Sequence, residues 1–231
     1  MSESVTVLIL AAGKQTRWQK SGAVGLKQFT EVDGEPIIHR TFRMLTDRGH
    51  DPLTVVRDPA NRAWQGLNPV EAAHEDWMGE MGKFLDHRPY WPEQGRVVGV
   101  YGDVFYTDAT LDVILDHDPD QPTIYGRALS QKHHRRSESF GLSFRVPEDV
   151  DEVERVAKAV AGVKGMNRRG GPWRFFWHRH TGGLTYTRSE RRKLTGLATR
   201  ENGWVETPVD ETDDFDQVQD LWAWRKEFGR A

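Results

Sequence analysis

A nearly unbroken apolar run over residues 5–11, rich in Val, Ile and Leu, predicts a strand buried on both faces of a parallel sheet. Behind it, 29–32 reads as a short strand closed by the turn pair Asp33 and Gly34. Pro36 suits the opening of a helix whose apolar face carries Ile38, Phe42 and Leu45 and which Gly49 ends. A strand over 52–56 and a weakly amphipathic helix over 70–87, with Trp77, Met81, Phe84 and Leu85 on one side, come next. The apolar run 97–101 predicts another strand, ending in Gly102 and Asp103. Thr107 or Asp108 then caps a helix with Leu111, Ile114 and Leu115 inward, closed before Pro119. Strands are expected over 123–129 and 140–146, and a helix opened by Pro147 with the stripe Val150, Val153, Val156, Ala157 and Val160. The aromatic stretch 173–180 reads as a strand. Segment 204–209 leads to a last helix capped by Thr212 and anchored by Phe215, Val218 and Trp222. Alternating strands and helices in a chain of 231 residues predict one α/β domain covering 1–231.

Candidate chemistry begins where the first run stops. After Ala12 and Gly13 the chain turns polar and basic, with Lys14, Arg17, Lys20 and Lys27 among small or flexible residues. A loop of this kind at the carboxyl end of a central strand presents backbone N–H groups and cations to a phosphate chain. Arg57, Asn61 and Arg62 follow the next strand and are placed to reach a nucleotide, although such residues are more often solvated turn formers.

Leu10, Ala11, Ala12, Gly13, Lys14, Gln15, Thr16 and Arg17, followed by Lys27, Gln28 and Phe29, resemble the signature loop of the nucleotidyltransferases with the glycosyltransferase-A type fold. These are the sugar-phosphate nucleotidyltransferase-like enzymes, among them the MobA-like NTP transferases. One position departs: Gln15 stands where the pattern has a second glycine, and a side chain there resists a positive φ. Two further landmarks come in the family's order. One is the strand end Gly102-Asp103. The other is the run Pro208, Val209, Asp210, Glu211, Thr212, Asp213, Asp214 and Phe215, which resembles the segment opening the family's carboxy-terminal helix.

The resemblance implies a Rossmann-like, mixed but mainly parallel central sheet flanked by helices, of the nucleotide-diphospho-sugar transferase type. It implies that residues 10–16 wrap a nucleoside triphosphate, that Arg17 and Lys27 act at the reacting phosphorus, and that Asp103 and Asp210 hold Mg²⁺. The expected reaction transfers a nucleotidyl group to a sugar phosphate or related phosphorylated small-molecule acceptor and releases pyrophosphate. Later strands build the acceptor site in that family, which makes Arg174, His178 and His180 weak candidates for gripping the acceptor. Two alternatives stand beside this reading. One is a glycosyltransferase of the same fold using a nucleotide sugar, with nucleic acid as a less favoured acceptor; the other is a non-catalytic nucleotide-binding domain.

Composition narrows the classes. A net charge of -3 argues against a surface built throughout for nucleic acid, although 131–137 is a local basic cluster and 165–171 is rich in Gly and Arg. The absence of cysteine removes disulfides, thiolate nucleophiles and thiolate metal sites. No apolar run approaches bilayer length and the first residues lack a basic leader, so the expected compartment is the cytoplasm, without a membrane partner.

Overall fold

The run at the amino end forms β1 (Val5–Leu10) in a computed structural model that describes residues 4–13, 15–73, 82–127, 138–161, 171–184 and 190–230. A short helix, α1 (Thr16–Lys20), and a single 3₁₀ turn, Lys27–Phe29, follow it. Then comes a two-residue hairpin, β2 (Glu31–Val32) and β3 (Glu35–Pro36). Asp33 and Gly34 both take positive φ, 53° and 80°, which suits the right-handed twist of a tight hairpin. Helix α2 (Ile37–Asp47) leads to β4 (Leu53–Val56), β5 (Pro69–Glu71), α3 (Gly82–Leu85), β6 (Gly95–Tyr101) and β7 (Val104–Phe105). The second half holds α4 (Asp108–Asp116), β8 (Thr123–Arg127), β9 (Glu138–Val146), α5 (Val150–Ala161), α6 (Gly171–Thr181) and α7 (Glu190–Leu197). It closes with β10 (Trp204–Glu206), β11 (Asp213–Asp214) and α8 (Val218–Phe228).

Seven of these strands form one sheet in the order β10-β8-β9-β6-β1-β4-β5. β1 is parallel to both β6 and β4, and the antiparallel β9 sits between β6 and β8. From β1 the chain builds outward through β4 and β5, then returns to the other side of β1 as β6. The strand order therefore reverses between β1 and β6, and a crevice at their carboxyl ends is where such sheets bind ligands.

Several expectations change. Segment 70–87 is not one helix: Val70 pairs with Val55 in a parallel edge strand, and the described helical part is α3; residues 74–81 lie outside the described residues. Segment 173–180 is helical, not a strand. Pro172 lies in its first turn, and Trp173, Phe176 and Trp177 recur at helical spacing, so burial on one face decides against the strand preference of aromatic residues. Thr212 caps no helix. It is buried, Asp213 and Asp214 are extended, and α8 starts at Val218 with a capping box between Gln217 and Asp220. Its inward residues are Leu221 and Trp224, while Trp222 is 61% exposed. The helix expected from Pro147 begins at Val150.

Beside the main core lies a smaller apolar cluster that joins the two ends of the chain: Trp18, Val32, Ile37, Phe105, Phe215, Leu221 and Trp224. Trp224 packs on Phe105 and Phe215 at ring distances of 4.8 and 5.4 Å and donates its indole N–H to the Glu211 carbonyl at 2.7 Å. Trp224→Ala is expected to lower the unfolding free energy by about 3–5 kcal/mol, measured by denaturant titration. No helix among the described residues is long and apolar enough to cross a membrane.

Candidate active site

Three chain segments meet at the crevice between β1 and β6. The first is the loop leaving β1, which ends in α1 with Arg17. The Ala11 N–H bonds the Val55 carbonyl at 2.9 Å, and Arg57 Nε donates to the Ala12 carbonyl at 2.6 Å, so the loop base is tied to β4. Gln15 takes φ -89°, an ordinary backbone, so the side chain at the departing position carries no strain. Lys14 lies outside the described residues.

The second segment is the turn after β6. Gly102 is closely packed: an added Cβ would stand 3.1 Å from the Ala11 Cβ and 3.2 Å from Ile38 Cδ1, so these neighbours would have to give by a few tenths of an ångström. Its smallness lets the strand end lie against β1, with Asp103 next in the chain.

The third segment comes from the carboxyl end. β11 pairs antiparallel with β7, Asp214 opposite Val104, and the Phe215 N–H points at the Asp103 carbonyl at 3.5 Å. This register carries Asp216 to Asp103.

Lys27 is the hub. Held by its 3₁₀ turn and only 9% exposed, it contacts the Asp103 carboxylate and lies 3.5 Å from Asp216 Oδ1. Arg17 contacts the other Asp216 oxygen. Burial pulls the Lys27 pKa down, but Asp103 and Asp216 together outweigh it, and the ammonium is held above its ordinary value. Asp214 has the opposite balance: burial first, then the charges of Glu138, Asp216 and Asp103, push its carboxyl well above the usual carboxylate range against the pull of Lys27. A carboxyl raised in the folded state costs stability when ionised. The cost is full above the folded pKa and disappears as pH falls to the unfolded value near ~4. Asp214→Asn is therefore expected to raise the melting temperature at pH 7.5 without divalent metal, the gain shrinking towards pH 4 in calorimetric scans.

Asp210, matched to the metal position by sequence, lies in a different setting. Its Oδ2 accepts from the hydroxyls of Thr107 and Thr110, the latter at 3.1 Å, and its Oδ1 from the Thr212 N–H at 2.8 Å. These bonds use its lone pairs to fix the segment before β11 onto the start of α4, so Asp216 rather than Asp210 is the carboxylate that the structure brings to Lys27 and Asp103. The alternation Asp214, Phe215, Asp216 was the available signal. Phe215 is buried and the acids on either side share the opposite face, as in a short strand.

Arg174, His178 and His180 lie on α6. His180 Nε2 meets the Asn202 carbonyl at 2.8 Å, and the neighbouring Arg179 donates to the Pro122 carbonyl at 2.7 Å and pairs with Glu152. Pro122 and Asn202 precede β8 and β10, whose amino ends lie level with Val98 in the middle of β6, away from its carboxyl end and Asp103, because β8 runs parallel to β6 across β9. The structure does not bring His180 to Lys27. Asn61 bonds its own turn at Ala63 N, 3.0 Å, and Arg62 is exposed. The basic segment 131–137 and most of 165–171 lie outside the described residues.

Among the described residues, no three His, Asp or Glu side chains form a group able to hold a metal by themselves. Two carboxylates converging on one cation are nonetheless the donor set Mg²⁺ takes from a protein when phosphate oxygens and water complete its octahedron. Asp103 and Asp216 fit that description, with the Lys27 ammonium as their present counter-charge.

No protein-family model and no curated protein sequence matches the chain. Solved structures do. CTP:phosphocholine cytidylyltransferase from Streptococcus pneumoniae superposes with TM-score 0.52 at 13% identity, over 97% of this chain and 99% of that one. The inositol-1-phosphate CTP transferase from T. maritima gives 0.52 at 14%, over 97% and 96%. A Bacillus anthracis protein assigned as a glucose-1-phosphate thymidylyltransferase, in complex with sucrose, gives 0.53 at 11%, over 96% and 94%. The chain has the sugar-phosphate nucleotidyltransferase fold. In a nucleotidyltransferase fold matched over nearly its whole length, the crevice holding Lys27 and Asp103 lies at the strand-order reversal of the sheet.

Proposed function

We propose that the chain is a single-domain, Mg²⁺-dependent nucleotidyltransferase that transfers an NMP group from a nucleoside triphosphate to a sugar phosphate or related phosphorylated small molecule. The observation that carries this reading is the buried Lys27 ammonium set between Asp103 and Asp216, beside the loop that leaves β1. A buried cation with a second cation, Arg17, across one carboxylate is an arrangement suited to polyanions, since both reactants are negatively charged and repulsion dominates the barrier.

In the proposed reaction an acceptor phosphate oxygen forms a bond to the α-phosphorus. The bond from that phosphorus to the bridging oxygen of the β-phosphate breaks, and pyrophosphate leaves with the electron pair. An anionic acceptor needs no general base. Lys27 and Arg17 exchange their carboxylate partners for phosphate oxygens and stabilise the charge that builds on the α-phosphoryl and the leaving group. The loop N–H groups of residues 12–16 orient the β- and γ-phosphates. Asp103 and Asp216 would hold Mg²⁺, which supplies charge neutralisation at the phosphates. The acceptor lies on the β8 and β9 side of the crevice in this reading, and His180, held at the Asn202 carbonyl, takes no part. A cytoplasmic location is proposed on composition alone.

The test is a screen of the four common nucleoside triphosphates with Mg²⁺ against pooled sugar phosphates and alcohol phosphates, scored by pyrophosphate release. Acceptor-dependent pyrophosphate supports the reading. Turnover seen only with preformed nucleotide sugars supports the glycosyltransferase instead, and triphosphate binding without turnover supports a binding domain.

A further inference from the structure

Gln15, the residue that breaks the signature-loop pattern, sits in a directional chain of hydrogen bonds. The Lys27 N–H donates to Gln15 Oε1 at 2.7 Å, Gln15 Nε2 donates to Gln28 Oε1 at 2.5 Å, and Gln28 Nε2 donates to the Ala11 carbonyl at 3.1 Å. Both ends fix the direction. A carbonyl only accepts, so Gln28 must turn its NH₂ to Ala11; a backbone N–H only donates, so Gln15 must turn its oxygen to Lys27. The two side-chain amides are then aligned head to tail, and Gln28, 2% exposed, has no solvent to replace a lost partner. The loop is bound to the Lys27 turn through side chains.

We infer that Gln15 is a positioning residue for Lys27: its side chain fixes the lysine turn against the end of β1 and so sets where the ammonium meets a bound phosphate chain. The inference rests on the phosphate role proposed for Lys27. A glycine at this position, as in the family pattern, leaves the Lys27 N–H and the Gln28 amide without these bonds, so in this chain Q15G lowers phosphate affinity instead of improving the loop.

The experiment is calorimetric titration of the full chain with magnesium tripolyphosphate, a base-free probe of the cradle. Gln15→Met keeps the bulk and removes both bonds, and is expected to bind about tenfold more weakly than wild type. Lys27→Met also weakens binding, and the double variant K27M/Q15M matches K27M alone within about twofold, because a residue acting through another adds nothing once that other is gone. The coupling to K27M is the readout that a merely structural role does not move: a substitution that only loosens the loop adds its loss in full on the K27M background. Wild-type affinity in Q15M overturns the inference, as does a loss that adds in full on the K27M background. Wild-type affinity in K27M overturns the phosphate reading itself. Should Q15M not fold, Gln15→Ala, which also removes both bonds, and its double variant with K27M decide in the same way.

Discussion

Lys27→Ala is expected to lower turnover by about 10²–10³-fold, the loss typical of a single charge-stabilising contact in a water-poor site. Its backbone bond to Gln15 and its 3₁₀ turn do not depend on the side chain, so the crevice keeps its form. The substitution has a second effect of opposite sign. In the folded protein the ammonium neutralises Asp103 and Asp216, and its raised pKa means that this stabilisation is complete below the ordinary lysine value and is lost only as pH rises through the higher folded value. Removing it at pH 7.5 leaves two carboxylates, with Asp214 close by, facing one another without their cation. K27A therefore melts lower than wild type in chelator and gains more from added Mg²⁺ than wild type does. A turnover assay with paired melting curves in EDTA and Mg²⁺ checks both parts; turnover like wild type's removes Lys27 from the chemistry.

The second large effect separates two acids that sequence alone does not rank. Asp216→Asn is expected to reduce turnover by at least about 10²-fold and to weaken Mg²⁺ binding, because it halves the carboxylate pair at the crevice and releases Arg17. Asp210→Asn should instead act on stability. An amide whose oxygen takes the Thr212 N–H turns its NH₂ to the Thr107 and Thr110 hydroxyls, which must reverse from donors to acceptors and lose the charged acceptor, a loss of about 1–3 kcal/mol. Magnesium titration followed by calorimetry, with denaturant melts on both variants, distinguishes them. A metal defect in D210N with normal binding in D216N would reverse the assignment.

What the sequence made legible was local. The run 5–11 announced β1 because a strand buried on both faces needs no polar alternation, and Gly102-Asp103 stood out because it ends a second apolar run and resembles a landmark of the family. The helix start was legible as Thr107 or Asp108, and the structure makes Thr107 the cap, its hydroxyl accepting from Thr110 N at 3.2 Å. The second carboxylate was not legible in the same way. Its place is fixed by the pairing of Asp214 with Val104, residues 110 positions apart: the alternation Asp214, Phe215, Asp216 suggests a short strand, but nothing local names the strand it pairs with. The aromatic stretch of α6 failed for another reason: Trp and Phe favour strands intrinsically, and only the packing of Trp173 on Trp204, at 4.0 Å, shows that a helical face is what they fill. Gln15 reads from sequence as a defect in a glycine loop, and only its contact with Gln28, thirteen residues on, gives it a use.

The small apolar cluster around Trp224 bears on how the protein matures in the cell. Trp18 and Ile37 find Phe215, Leu221 and Trp224 only once the long stretch of chain between them has been made. Until then the nascent chain holds its cationic loop without the tail that brings Asp216 to it. The proposed crevice is therefore completed only when segments made far apart in time meet, and a translation product stalled before Phe215 carries all seven strands of the main sheet but not Asp216.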